Sequence, residues 1–222
     1  MEKKFILTDK FVINSFGIKL FQIKCTKSFK YAQKGDFGGY VEKEGNLDQE
    51  NDAWVFGNAR VFGNARVSSN ARVSGDAWVS DNARVSGDAW VSDNAWVSSN
   101  AWVFGDALVS GYAWVSGDAR VFGNARVSGD AWVSGNAWVS GDADIENDNE
   151  HCGFDGFGSC NRHTHAYMTK EKKVEIICGC FRGSIEEFEK KVEETHSGTV
   201  YEKQYKSIIN VIKIKFGLTD FT

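Results

Sequence analysis

The chain has 222 residues, 42% hydrophobic and 25% charged, with a formal net charge of −4; despite 23 glycines this composition excludes disorder and suits one domain or an elongated body with small ends. No segment forms a basic patch, which argues against a general binder of nucleic acid or anionic membrane. Five cysteines, an odd number, point to reduced thiols, and no apolar run reaches the length of a leader or membrane span, so the expected location is cytoplasmic.

Residues 3–25, KKFILTDKFVINSFGIKLFQIKC, hold two apolar runs around the turn-rich Asn14-Ser15-Phe16-Gly17 and predict a β-hairpin. Residues 26–51, with Gly35, Gly38, Gly39 and Gly45, read as an irregular entry coil. Together, residues 1–51 are expected to cap a repeat that begins at residue 52, because an open first coil would present unpaired backbone donors and acceptors.

From Asp52 to Asp144 a six-residue unit, G-[N/D]-A-[R/W]-V-[S/F], recurs sixteen times without insertion or deletion. Its Ala falls at every sixth position from Ala53 to Ala143, and the β-branched residue follows from Val55 to Ile145. Fixed-period repetition of this kind is the mark of a solenoid. On an extended strand the Ala and Val side chains point one way and the intervening Arg or Trp the other. Ala and Val therefore belong inside, and the Gly-Asn or Gly-Asp pair, which tolerates positive φ, makes a corner. Straight segments joined at six-residue intervals predict a triangular coil of 18 residues, the left-handed parallel β-helix, with about five coils over residues 52–145.

Residues 146–165, ENDNEHCGFDGFGSCNRHTH, lose the phase and read as a polar boundary. Beyond it, Ala166–Glu171 and Lys173–Cys180 predict a pair of strands. Ser184 with Glu187 makes a capping box for a helix bearing Ile185, Phe188 and Val192 on one face, and Thr199 with Glu202 opens a second. Residues 146–222 are thus expected to form a small α+β (ββαα) cap.

The segments DFGGYVEKEGNL at 36–47 and CGCFRGSIEEFEKKVEETH at 178–196, on either side of the hexads, resemble a family of phage- and prophage-encoded hexapeptide-repeat proteins, sometimes labelled polymer-forming. The resemblance spans nearly the whole chain. It implies an intracellular, phage-associated accessory protein and supplies no catalytic residues.

Sorted by an 18-residue coil, the outward position gives three columns. The first is Trp54, Arg72, Trp90, Leu108, Arg126; the second Arg60, Trp78, Trp96, Trp114, Trp132; the third Arg66, Arg84, Trp102, Arg120, Trp138. All eight tryptophans lie in them. Stacked indoles and guanidiniums stabilise one another, and they also form an apolar strip rich in the residue types of interface hot spots. The candidate partner-binding residues are Arg60, Trp78, Trp96, Trp114 and Trp132, with Trp102 and Trp138. A homo-oligomer packing faces together, or a host or phage protein, is the expected partner. Sugars or nucleobases would want a pocket that a flat ladder lacks. The corner aspartates, interspersed with Asn and facing six arginines, make a poor DNA mimic.

Hexapeptide-repeat acyltransferases use a histidine on or beside the prism and loops that interrupt the coils. All four histidines here (His151, His163, His165, His196) lie outside an uninterrupted repeat. His151-Cys152, Cys160-x-x-His163-x-His165 and the pair Cys178/Cys180 have soft ligands, but their spacing fits no common zinc motif. The expectation is a non-catalytic binding or scaffold protein without cofactor or metal, with a transferase or a polymer-forming protein as the alternatives.

Overall fold

The structure, a computed structural model, describes residues 2–218. A hairpin of β1 (Phe5–Ile13) and β2 (Lys19–Cys25) leads into β3 (Phe37–Val41). Sixteen two-residue strands come next, β4 (Trp54–Val55) through β19 (Asp144–Ile145), one per hexad. The chain ends in β20 (His151–Phe157), β21 (Arg162–Met168), β22 (Val174–Cys178), β23 (Phe181–Ser184), α1 (Ile185–His196) and α2 (Val200–Lys215).

The short strands stack in parallel with a register of 18 residues, so that Trp96 lies between Trp78 and Trp114. They form a parallel β-solenoid with three faces, corresponding to the three columns. From Ala53 to Ile145 every repeat Ala and every β-branched residue is no more than 3% exposed. Each buried Val side chain contributes on the order of 1.5–3 kcal/mol relative to exposure. Along each edge the amide of one coil donates to the carbonyl of the next, as in Trp54 N–H to Ala71 O (3.0 Å) and Phe56 N–H to Val73 O (2.8 Å). The corners carry positive φ at the Gly position, or at the Ser or Asp that replaces it in Ser69, Asp81, Asp93 and Ser99.

The second face holds six parallel rungs, not the expected five, because the solenoid begins before the hexads; the first face holds six because the sixteenth hexad adds one more rung, β19, beyond five coils. Tyr40 and Val41 of β3 already pair with Arg60 and Val61, and Leu47 bridges to Val67. Residues 36–47 are therefore a first coil in disguise, with β1 and β2 extending the second face in antiparallel sense. Gly39 is required here, since a Cβ would lie 2.7 Å from the Ala59 carbonyl oxygen and the Val55 side chain.

Both ends are closed by side chains. At the N-terminal end the carbonyls of Ala53, Ala65 and Gly63 would lack donors. The Lys4 ammonium reaches Asn51 O and Ala53 O, and Asn46 Nδ2 reaches Ala65 O (2.9 Å) and Gly63 O (3.2 Å). At the other end, a strand residue's N–H and C=O point the same way, so the carbonyl of Trp138 and that of Ser140 face where another coil would sit. His165 Nδ1–H donates to Trp138 O (2.9 Å) and the Tyr167 hydroxyl to Ser140 O (3.3 Å), while Asp148 accepts from the Trp132 amide (2.7 Å).

The C-terminal cap has four antiparallel strands in the order β20-β21-β22-β23, two more than the sequence suggests. β20 and the start of β21 lie in the polar segment 146–165. Its glycines and histidines hide a period of two: His163, His165 and Tyr167 turn toward the last coil, and Ala166 toward the helices. Ala166, Ile176 and Cys178 pack with Ile185, Phe188, Val192, Tyr205, Ile208, Ile209 and Ile212 into a second small core. Ser184 caps α1 with the reciprocal Glu187 contact, and Thr199 caps α2 by accepting from the Glu202 amide. Among the described residues no helix is long and apolar enough to cross a membrane.

Candidate functional site

The register brings the outward residues together in the columns that an 18-residue coil predicts. On the second face, Trp96, Trp114 and Trp132 stack nearly parallel, with centroid separations of 5.0 and 5.1 Å and interplanar angles of 7° and 4°. Trp78 breaks the stack and meets Trp96 edge-on at 63°. The cause is Phe16 at the tip of the β1–β2 hairpin, which wedges against Trp78, Trp96 and Phe62 at 6.1–6.4 Å. Arg60 lies over Trp78, 5.1 Å from the ring centre. The hairpin thus covers the first half of this column, leaving Trp132, 51% exposed, as its open end.

The first column departs from expectation at its start. Trp54 stands at an outward position yet is 1% exposed, because Phe5 and Phe29 from the N-terminal segment fold over it at 6.3 and 5.3 Å. Arg72 is held between Tyr31 and Trp90. On the third face Trp102 and Trp138 are separated by Arg120, whose guanidinium lies 5.2 Å from the Trp138 ring centre.

A second rule acts sixteen residues apart. The indole N–H of Trp90, Trp96, Trp102, Trp114 and Trp132 donates to the hydroxyl of Ser74, Ser80, Ser86, Ser98 and Ser116 in the preceding coil, at 2.8–3.4 Å. Where that position is Phe, the contact becomes edge-to-face: Phe62 with Trp78 at 5.8 Å and Phe122 with Trp138 at 6.4 Å. The repeat serines are therefore indole acceptors, and the Ser/Phe alternation at i−16 is the sequence signal that reveals it.

One corner carries a polar ladder, Lys43–Asn64–Asn82–Asn100–Asp118, with amide links of 3.0–3.3 Å. Farther along the same edge Asn136 binds Asp155 (3.1 Å), which in turn binds His163 Nδ1 (2.8 Å). Burial would raise the Asp155 carboxyl, but the bonds from His163 and Asn136 hold it below the ordinary range.

At the junction of solenoid and cap three imidazoles meet. His165, wholly buried, donates from Nδ1 to Trp138 O, so its Nε2 accepts from His151 Nδ1 at 3.2 Å. Desolvation drives His165 down to about 3, and it lowers His151 against the opposing pull of Asp148. Burial raises the Cys152 thiol to about 11 and is the main cause that pushes Tyr205, beside Cys178, up to about 12. These are neutral, packed groups. Among the described residues no three His, Cys, Asp or Glu side chains converge as a metal-ligating group.

Within the solenoid, residues 65–81, 77–93 and 119–135 match the model of the YdcK beta solenoid repeat. Each matched stretch is close to one coil in length. Coil geometry and repeat matches together define a β-solenoid repeat protein. Among the curated proteins nothing matches the chain.

Proposed function

We propose that this protein is a non-catalytic binding module, in which the solenoid is a rigid ruler and the indole strip of the second face is the docking surface. The supporting observation is the flat stack of Trp96, Trp114 and Trp132, ending in a half-exposed indole on a scaffold held by a buried Ala/Val core. Aromatic side chains held at low entropic cost are the residues that carry interface energy. Self-association is the first use of such a strip, because two flat ladders related by a two-fold axis are complementary to each other. The resemblance of residues 36–47 and 178–196 to phage-encoded proteins favours a host cell's cytoplasm as the setting. A host defence component is then the natural second partner.

Sedimentation velocity tests this reading. Wild type should sediment above its 24.7 kDa monomer mass, and Trp114→Ser with Trp132→Ser should return it to a monomer that still unfolds cooperatively, at a lower temperature because the stacking and the bonds to Ser98 and Ser116 are lost. A multimer that survives both substitutions overturns the assignment of the strip. A monomeric wild type overturns self-association, and a photocrosslinking residue at position 132 then has to capture a different protein for the strip to keep its role.

A further inference from the structure

The third column stops at Trp138, and beyond it lies a cavity instead of another rung. On the coil side, the Trp138 ring is covered by the Arg120 guanidinium and the edge-on Phe122. Its other side looks toward the cap, where Asn136, Arg162, His163, Ile177 and Gly179 line with it a mostly apolar, half-open pocket of about 220 Å³. Within the stacked part of the second column the next ring arrives about 5 Å on, at 5.0 and 5.1 Å. At Trp138 that next rung would be residue 156, which is Gly156 and has no side chain to offer. The third column therefore ends on an indole that no following side chain covers.

The wall has a cation. Arg162 opens β21, and its guanidinium lies across Gly179, where a Cβ would come within 2.5 Å of Nη1. Gly179, at φ +60°, thus serves as a cradle. Among the described residues no carboxylate pairs with Arg162 within salt-bridge distance; the thiols Cys160 and Cys180 favour its charged form, and its exposed side chain also borders the cleft between the cap sheet and the helices. Arg126 and Arg182, by contrast, have Asp144 and Glu175. The opposite wall is held in place: His163 is fixed by Asp155, and Asp155 by Asn136. A planar guanidinium beside an apolar slot suits one anionic oxygen group on a flat ring.

We infer that the cavity between Trp138 and the cap binds a planar aromatic molecule carrying one carboxylate or phosphate, with its ring stacked on Trp138 and its anion on Arg162. This site is separate from the strip of the second face and does not depend on its role.

Two anionic probes, indole-3-acetate and adenosine 5′-monophosphate, distinguish carboxylate from phosphate; indole, adenosine and acetate serve as ring-only and anion-only controls. The readouts are calorimetry and the indole ¹⁵N–¹H resonances, with the Trp138 signal assigned by its loss in Trp138→Phe. At least one anionic probe should shift the Trp138 resonance ahead of the other seven tryptophans. Arg162→Gln should weaken that probe by about tenfold or more, the effect of losing a charge-assisted hydrogen bond. Each control should bind more weakly than the probe it is drawn from. Gly179→Ala, which pushes the guanidinium away without changing its charge, should weaken the same probe, and Arg66→Gln, far along the solenoid, should not. No shift at Trp138 with either probe overturns the site, as does binding that Arg162→Gln leaves unchanged.

Discussion

Lys4 is 4% exposed and its ammonium lies against two backbone carbonyls at the open end of the solenoid, where desolvation lowers it to about 8, partly opposed by Asp48 and Asp52. Between that value and the ordinary 10.5 the unfolded chain binds a proton that the folded one has released. Stability contributed through this group therefore rises with pH across that window. In urea titrations Lys4→Met should be less stable by roughly 1–3 kcal/mol, since it strips the buried Ala53 carbonyl and the part-buried Asn51 carbonyl of their donor. Its deficit against wild type should grow from pH 8 toward pH 10. His165 works in the acid range: its folded value near 3 lies below the ordinary 6.5, so the unfolded chain binds more protons between them and stability falls as pH drops through that window. His165→Asn, which offers an amide donor for Trp138 O without a titrating ring, should flatten the acid limb between pH 6.5 and 4. His165→Leu should lose roughly 1–3 kcal/mol at neutral pH, because the carbonyl is left unpaired. Neither residue's task is visible in the sequence, since Lys4 lies in a charged start and His165 in a segment that reads as a boundary.

The hexad coil is the next scale, and its corners decide how forgiving it is. Asp81 and Asp93 occupy left-handed backbone positions, at φ 58° and 59°, that glycine fills elsewhere. Each offsets the cost by accepting a backbone amide of the next coil, Ser99 N–H at 3.0 Å and Gly111 N–H at 3.1 Å. Asp93→Ala keeps the strained Cβ and loses the bond, so it should destabilise by roughly 1–2 kcal/mol. Asp93→Gly removes bond and strain together and should stay closer to wild type; comparing the two denaturation midpoints checks this. Alternation of Ala and Val is enough to place the core, and the 18-residue register follows from hexads without insertions. What the repeat cannot announce is which outward side chains stay outside. Trp54 obeys the same hexad rule as Trp132, yet one is buried and the other half-exposed, because Phe5 and Phe29 reach Trp54 from segments more than 20 residues away.

For the whole molecule, the two caps decide whether a solenoid stays finite. Exposed parallel rungs template further pairing, and both ends here are covered by strands and side-chain donors. Removing residues 146–222 should uncover the Trp138 and Ser140 carbonyls and the core of the last coil. The shortened chain should then form large species that grow with concentration in light scattering, which the full chain should not do. If the shortened chain stays discrete, some device other than the cap blunts the end. The cap also makes the cavity at Trp138, which belongs to neither part alone.

By itself the sequence determines the solenoid. Sixteen units of one period leave a single way to bury Ala and Val, and equal spacing in sequence becomes equal spacing in space, so the three Arg/Trp columns emerge without any knowledge of distant contacts. Two helix caps are equally local and equally legible. Tertiary structure alone decides the rest: the hidden first coil at residues 36–47, β20 and the start of β21 inside a polar segment that reads as a boundary, the burial of Trp54, and the pocket that Trp138 and Arg162 both line. These depend on long-range pairing and on the demand of coil ends for hydrogen-bond partners, and neither leaves a period in the chain.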